Sequence, residues 1–211
     1  MKRPRILLAD DHTLIAEALR HMLQSEFDVV GTVSDGRALV KAAAELKPDL
    51  AVVDIAMPLL NGLDAAEQLK DSHPAIKIIY LTQNRDPVCA AEALRRNASG
   101  YLLKNAAASE LIKAIREVLQ GRRYISPAIA EEMLTRGLKP GQEVKPQELR
   151  PREREVLQLL AEGKSMKEVA GILNISPRTV EFHKYRMMEF LGLASNAELV
   201  QYAVKRGIVT P

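Results

Sequence analysis

The chain has 211 residues, 47% of them apolar, with 30 Lys and Arg against 27 Asp and Glu. No apolar run approaches the roughly 18 residues that a membrane-spanning helix needs, and the single cysteine, Cys89, excludes an internal disulfide framework, while no Cys/His spacing suits structural zinc. Lys2, Arg3 and Arg5 precede an apolar run too short for a signal-peptide core, so a cytoplasmic protein with no membrane partner is expected. Charge divides unevenly along the chain. Residues 1–121 carry 15 Lys and Arg against 16 Asp and Glu, residues 122–211 carry 15 against 11, and all nine aspartates lie in the first part. This asymmetry suggests an acidic pocket followed by a mildly basic domain, although a net of +4 does not by itself establish nucleic-acid binding.

The first part reads as five β/α units. Ile6–Ala9 is the first strand, followed by a helix over about 12–24. Val29–Val33 is the second, and Ser34 or Asp35 opens a helix with Leu39, Val40, Ala43 and Leu46 at helical spacing. Leu50–Val53 is the third, and Met57-Pro58 with Asn61-Gly62 forms the loop after it. Ile76–Leu81 is the fourth, after which Asp86-Pro87 supplies an N-cap and a proline for a helix predicted to stop at Asn97. Tyr101–Leu103 is the fifth, and the last helix carries Leu111, Ile112, Ile115, Val118 and Leu119 before Gly121. Alternating β and α predicts a parallel, doubly wound sheet. Residues 122–148 read as a connector, with Ala128–Leu134 a candidate short helix.

Residues 149–211 are helical by pattern, a small all-α domain. Pro151–Glu162 is stopped by Gly163. Ser165-x-x-Glu168 is a capping box for a short helix, Asn174-Ile175 makes a turn, and Ser176-Pro177 starts a longer helix through Leu191. Ser195-x-x-Glu198 is a second capping box. Two helices joined by a turn of about three residues make the helix-turn-helix pattern, whose second helix reads the groove.

The strand ends carry the chemistry. Asp10 with Asp11, Asp54, Thr82 and Lys104 each follow or end an apolar strand, and in such sheets ligands bind at the carboxyl ends of the strands. Three carboxylates suit Mg²⁺, a hard cation that takes oxygen ligands. Asp54 then serves as phosphoryl acceptor, Lys104 neutralises charge, and the Thr82 hydroxyl hydrogen-bonds the arriving oxygens. The bland alternatives are that Asp10 or Asp11 only caps a helix, that Thr82 only ends a strand, and that Lys104 is a solvated charge.

Residues 5–121 resemble the receiver domain of bacterial two-component response regulators. The motifs that carry the resemblance are Leu8-Ala9-Asp10-Asp11, Val53-Asp54-Ile55-Ala56-Met57-Pro58 with Asn61-Gly62, Leu81-Thr82, and Gly100-Tyr101-Leu102-Leu103-Lys104. The resemblance implies a five-stranded sheet of order 2-1-3-4-5 and phosphorylation of Asp54 by a sensor histidine kinase. It implies Mg²⁺ held by Asp10, Asp11, Asp54 and the Ala56 carbonyl, with Thr82 and Tyr101 as a switch pair. Asn105 stands where many receivers have a proline.

On the second helix of the pair, Val180, His183, Met187 and Leu191 form the stripe expected to be buried. Arg178, Glu181, Phe182 and Tyr185 form the face offered to a major groove, with Lys184 and Arg186 flanking it toward phosphates. Ser176 and Thr179 place the helix N-terminus beside another phosphate. Glu181 reads first as a solvated charge, because a carboxylate near DNA is repelled unless it accepts from cytosine N4, and His183 reads as a packed histidine. Residues 149–211 look like a LuxR-type domain, and the two-domain order is similar to the NarL/FixJ subfamily. The carrying residues are Pro151–Leu157, Gly163, Lys167-Glu168-Val169-Ala170, Ile175-Ser176, Thr179-Val180, His183 and Leu191-Gly192. Arg150 stands where that family usually has threonine, which removes a cap worth about 1 kcal/mol or moves it.

The resulting expectation is a DNA-binding transcription regulator, not an enzyme, divided as receiver (1–121), linker (122–148) and helix-turn-helix domain (149–211). It should dimerise when phosphorylated and bind two DNA half-sites. An Asp-nucleophile phosphohydrolase is a competing class, but such enzymes need a second carboxylate where this chain has Ala56. A receiver that serves only as a dimerisation scaffold is a third reading.

Overall fold

A computed structural model describes residues 3–96, 98–106, 108–138 and 149–209. Its strands are β1 (Arg5–Ala9), β2 (Asp28–Val33), β3 (Leu50–Val53), β4 (Lys77–Thr82), β5 (Gly100–Leu103) and β6 (Tyr124–Ile125). Its helices are α1 (Thr13–Leu23), α2 (Gly36–Leu46), α3 (Gly62–Ser72), α4 (Pro87–Arg95), α5 (Ala108–Leu119), α6 (Pro127–Thr135), α7 (Pro151–Ala161), α8 (Met166–Leu173), α9 (Pro177–Leu191) and α10 (Asn196–Lys205).

The strands make one parallel sheet in the order β2-β1-β3-β4-β5-β6. Alternate residues of each strand face opposite sides. Leu7, Ala9, Ala51, Val53, Ile78 and Tyr80 therefore join one apolar cluster with α2, α3 and α4, while Ile6, Leu8, Leu50, Val52, Ile79 and Leu81 join another with α1 and α5. Both faces are covered, which explains why the strands read as continuous apolar runs.

The sheet has six strands, which corrects the expected five. Tyr124 and Ile125, read as connector, pair with Gly100 and Tyr101. The α6 helix then folds Ile129 and Met133 into the cluster around α4. Two residues carry no period of their own, and the pairing arises because β5 would otherwise present an open edge.

Most helix starts follow from local chemistry. The side chains of Asp35, Asn61 and Asp86 accept backbone N–H bonds from Ala38, Asp64 and Val88 at 2.8, 3.0 and 3.0 Å. The predicted stop at Asn97 falls outside the described residues. At α7, Arg150 has no acceptor to offer, so only the reciprocal half of a capping box forms, with Glu153 Oε2 accepting the Arg150 N–H at 2.9 Å. Ser165 and Glu168 make both halves. At α10 the pattern differs from expectation: Ser195 caps Glu198, but Glu198 reaches back to the Ala194 N–H at 2.8 Å. The four C-terminal helices enclose a third cluster built from Val156, Leu159, Val169, Leu173, Val180, Met187 and Leu199.

Candidate functional site

Register brings the acidic residues together. Ala9 pairs with Val53, and Thr82 with Leu103. The next residues, Asp10, Asp54 and Lys104, then leave β1, β3 and β5 at the same edge of the sheet, with β4 between the last two. Asp10 and Asp54 are each only 4% exposed. Lys104 Nζ bonds Asp54 Oδ2 at 2.7 Å and both Asp10 oxygens at 2.8 and 2.9 Å. Burial pushes the Asp54 carboxyl above its ordinary value, and the Lys104 ammonium offsets only part of this. Burial pulls Lys104 down, but its bonds to Asp10 and Asp54 outweigh that and hold it above its ordinary value.

Asp10 is not a side-chain cap on the helix end. His12 is the residue before α1 and makes no side-chain cap; its N–H donates to Asp10 Oδ1 at 2.9 Å. One ligand atom from each of Asp10, Asp11, His12 and Asp54 lies within 4.8 Å of the others. This carboxylate set suits a hard divalent ion. The Ala56 N–H donates to Asp54 Oδ1 at 3.3 Å, and the loop folds tightly here, since a Cβ on Gly62 would lie 2.1 Å from the Asp54 carbonyl oxygen.

Thr82 and Tyr101, buried on β4 and β5, are joined through one residue. Thr82 Oγ1 accepts the Asn84 N–H at 3.1 Å, and the Tyr101 hydroxyl donates to the Asn84 carbonyl at 3.2 Å. Any movement of Thr82 therefore bears on the bond that holds Tyr101 inward. Burial raises the Tyr101 hydroxyl well above its usual range, so it stays a donor.

At the helix-turn-helix, Asn174 takes the left-handed conformation (φ 51°) between α8 and α9. The Ser176 hydroxyl accepts the Thr179 N–H at 3.1 Å and meets the Thr179 hydroxyl at 2.9 Å. Arg178 and Glu181 are exposed, and Phe182 and Tyr185 are each 59% exposed. Lys184 Nζ sits 5.7 Å from the centre of the Tyr185 ring. Arg186 lies toward α7, its Nε 3.6 Å from Glu153. Val180 and Met187 are buried as expected; His183 is half-buried, with its ring at an edge to Phe182.

The residues that sequence reasoning missed join the two parts. Gln158 of α7 is fully buried. Its Oε1 accepts the Asn61 N–H at 2.7 Å, and its Nε2 donates to the Met57 carbonyl at 2.9 Å. Glu162 accepts the Leu59 N–H at 3.0 Å. Arg154 binds Asp64 and Glu67 at 2.7 Å each, the carboxylates that Arg96 also meets, and Arg37 binds Glu155 at 2.7 Å. The helix-turn-helix unit thus grips the loop that follows Asp54. Leu59 within it has φ +65°, a conformation strained for a residue with a branched side chain, and packs on the third cluster.

Residues 6–116 match the family described as response regulator receiver domain, and residues 147–203 match bacterial regulatory proteins of the luxR family. The chain belongs to the response regulators. Response regulator GacA of Pseudomonas aeruginosa is 34% identical over 208 residues, covering 97% of each chain. Response regulator UvrY of Escherichia coli K12 is 34% identical over 206 residues, covering 96% of this chain and 94% of UvrY. Among solved structures, the RcsB response regulator of Salmonella typhimurium is similar with a TM-score of 0.67 and 27% identity, over 98% of this chain and 99% of that one. RcsB bound to a promoter in the presence of the phosphomimetic BeF₃⁻ matches this regulator with a TM-score of 0.64 and 27% identity, over 97% and 100%.

Proposed function

We propose that this protein is a DNA-binding transcription regulator of a two-component phosphorelay, switched by Mg²⁺-dependent phosphorylation of Asp54 by a sensor histidine kinase. The observation that carries the reading is the Lys104 bridge between two buried carboxylates, Asp10 and Asp54, at one sheet edge, in a chain that also carries a luxR-family helix-turn-helix. An Asp54 oxygen forms the new P–O bond as the P–N bond of a phosphohistidine breaks, and the imidazole leaves with the electron pair. Lys104 stabilises charge on the phosphoryl oxygens, and Thr82, turning from Asn84, donates its hydroxyl to one of them. Asp10, Asp11, Asp54 and the Ala56 carbonyl are the residues that would hold Mg²⁺, which supplies further charge neutralisation.

Transfer of Thr82 to the phosphoryl group removes its bond to Asn84 and frees Tyr101 to repack. The same event alters the loop that Gln158 and Glu162 grip, loosening α7 from the receiver. Because the outward face of α9 is already exposed, this contact regulates where the reading unit is held, not whether that unit is covered. DNA is bound as two half-sites by a dimer, as RcsB dimers bind DNA. Ser176, Thr179 and Lys184 meet phosphates, and Arg178, Glu181, Phe182 and Tyr185 face the base edges of the groove; Arg186 reaches a phosphate once it leaves Glu153. The receiver comprises residues 1–121, and the DNA-binding domain 149–211, in a cytoplasmic protein.

The deciding experiment treats the protein with acetyl phosphate and reads the intact mass. One phosphoryl adduct is expected in Mg²⁺, none in EDTA and none in Asp54→Asn. An adduct that survives in Asp54→Asn would overturn the assignment.

A further inference from the structure

The contact between the receiver and the helix-turn-helix unit is not filled throughout. A cleft of about 400 Å³ lies between α3 and α4 on one side and α7, α10 and their flanking residues on the other. Small-molecule sites have volumes of this order and favour the seams between domains. Most of the wall is apolar, supplied by Leu63, Val88 and Ala91 from the receiver and by Leu149, Tyr202 and Ile208 from the other unit. Val88 stays 41% exposed although it stands at this contact, so neither unit covers the apolar surface here.

The charged groups of the cleft fall into two sets. On the receiver side the carboxylates are already matched. Asp64 meets Arg96 and Arg154 at 3.0 and 2.7 Å, and Glu92 meets Arg95 and Arg96 at 2.8 and 2.5 Å. Asp86 accepts the Val88 N–H at 3.0 Å as the cap of α4. On α10, Lys205 and Arg206 are exposed at the rim, and among the described residues neither forms an ion pair. Arg206 Cζ lies 5.4 Å from the centre of the Tyr202 ring, and its charge reaches Cys89 on α4, across the cleft. Cations suit the C-terminal end of a helix, which accounts for their sign but not for the apolar wall beside them.

A ligand that matches both features has an apolar body and one acidic group. A carboxylate fits better than a phosphate monoester, because Asp64, Asp86 and Glu92 share the wall and repel a second negative charge. The planar fork of an arginine also takes a carboxylate through two parallel hydrogen bonds. We propose that this cleft binds a medium-chain aliphatic carboxylate, its chain against Val88 and Ile208 and its acid group on Lys205 and Arg206. Such a ligand touches both units, so it binds best when they are in contact and opposes their separation. That consequence rests on the reading that phosphorylation loosens α7 from the receiver; occupancy of the cleft does not.

The test titrates sodium decanoate, below its micelle concentration, and decanol as its uncharged counterpart into the full unphosphorylated chain by calorimetry. Decanoate should bind at one site, and decanol about tenfold more weakly, the difference that one charge-assisted hydrogen bond makes. Lys205→Gln combined with Arg206→Gln should weaken decanoate by a similar factor and leave decanol unchanged. Both positions are exposed, and circular dichroism establishes that the variant is folded. Cys89, the single cysteine of the chain, lines the cleft, so decanoate should slow its reaction with N-ethylmaleimide. Absence of decanoate binding, equal binding of decanol, or binding that the double variant retains would overturn the proposal, as would binding that leaves Cys89 unprotected. With BeF₃⁻ present the decanoate affinity should fall severalfold. An unchanged affinity would refute the loosening of the two units by phosphorylation and leave the site in place.

Discussion

Asp54 is held in a state that suits chemistry better than stability. Its carboxyl is raised by burial, and Lys104 only partly compensates. A carboxyl raised in the folded state costs stability at pH above its folded pKa, and the cost vanishes as pH falls through that value toward the unfolded one, near 3.8. Asp54→Asn never ionises, and its amide oxygen still accepts from Lys104. We therefore expect Asp54→Asn, in EDTA, to have a higher Tm than the unmodified protein at pH 7, with the gain shrinking as pH approaches 4. A gain equal at both pH values would show that desolvation of the charge is not its source. Gln158 is the residue-scale counterpart on the other side of the contact. Truncating it to Ala leaves the Met57 carbonyl and Asn61 N–H without their partner, a cost of about 1–3 kcal/mol if they stay buried. Opening the contact lets water satisfy both groups instead. Faster hydrogen exchange at Leu59 to Asn61 in Gln158→Ala is the expected readout, with exchange in the β1 and β4 amides unchanged.

Among the elements, α9 makes a separable prediction. Lys184→Ala should weaken binding to every DNA sequence alike and reduce the salt slope by about 0.9, the value for one phosphate no longer neutralised. Phe182→Ala and Tyr185→Ala should instead blunt discrimination between operator variants, by about 1–3 kcal/mol for each base edge left unread. Titrations at several salt concentrations on matched and altered operators separate the two behaviours, and identical behaviour of all three would refute the division of the helix. Arg186→Ala should also lower Tm modestly, because Arg186 faces buried Glu153. The convergence of Asp10, Asp54 and Lys104 was legible in the chain because each residue ends a strand with a local apolar signature, and parallel order does the rest. What α7 presents to the receiver was not. Arg154, Gln158 and Glu162 recur at every fourth residue, a pattern identical to a solvated face until a partner surface arrives. Leu59 gave no sign of positive φ, since nothing in a leucine favours it. His12 was visible beside the acidic pair, but only the side-chain placement brings its nitrogen to the carboxylates.

At the scale of the whole molecule, the loop after Asp54 is shared property. One end adjoins Asp54, the proposed phosphoacceptor, and the other is held by α7 through Gln158 and Glu162. Phosphorylation should therefore change the separation of the two units and, with it, their ability to pair on two half-sites. Sedimentation with and without BeF₃⁻ should show tighter self-association in its presence, alongside tighter operator binding; a chain equally dimeric and equally tight in both states would favour the scaffold alternative. The sixth strand has a different consequence, one for how the chain is made. The backbone of β5 is satisfied only when Tyr124 bonds Ser99 and Ser126 bonds Tyr101, at 3.1 and 2.9 Å. A nascent chain emerging as far as Gly121 has every residue of the pocket but still shows a raw sheet edge, which is a template for another chain. A fragment ending at Gly121 should accordingly form concentration-dependent aggregates by light scattering, and one ending at Leu138 should not. During synthesis the vulnerable interval closes when Ile129 and Met133 arrive, so a slow stretch of translation just before them would expose the edge to neighbouring ribosomes' products.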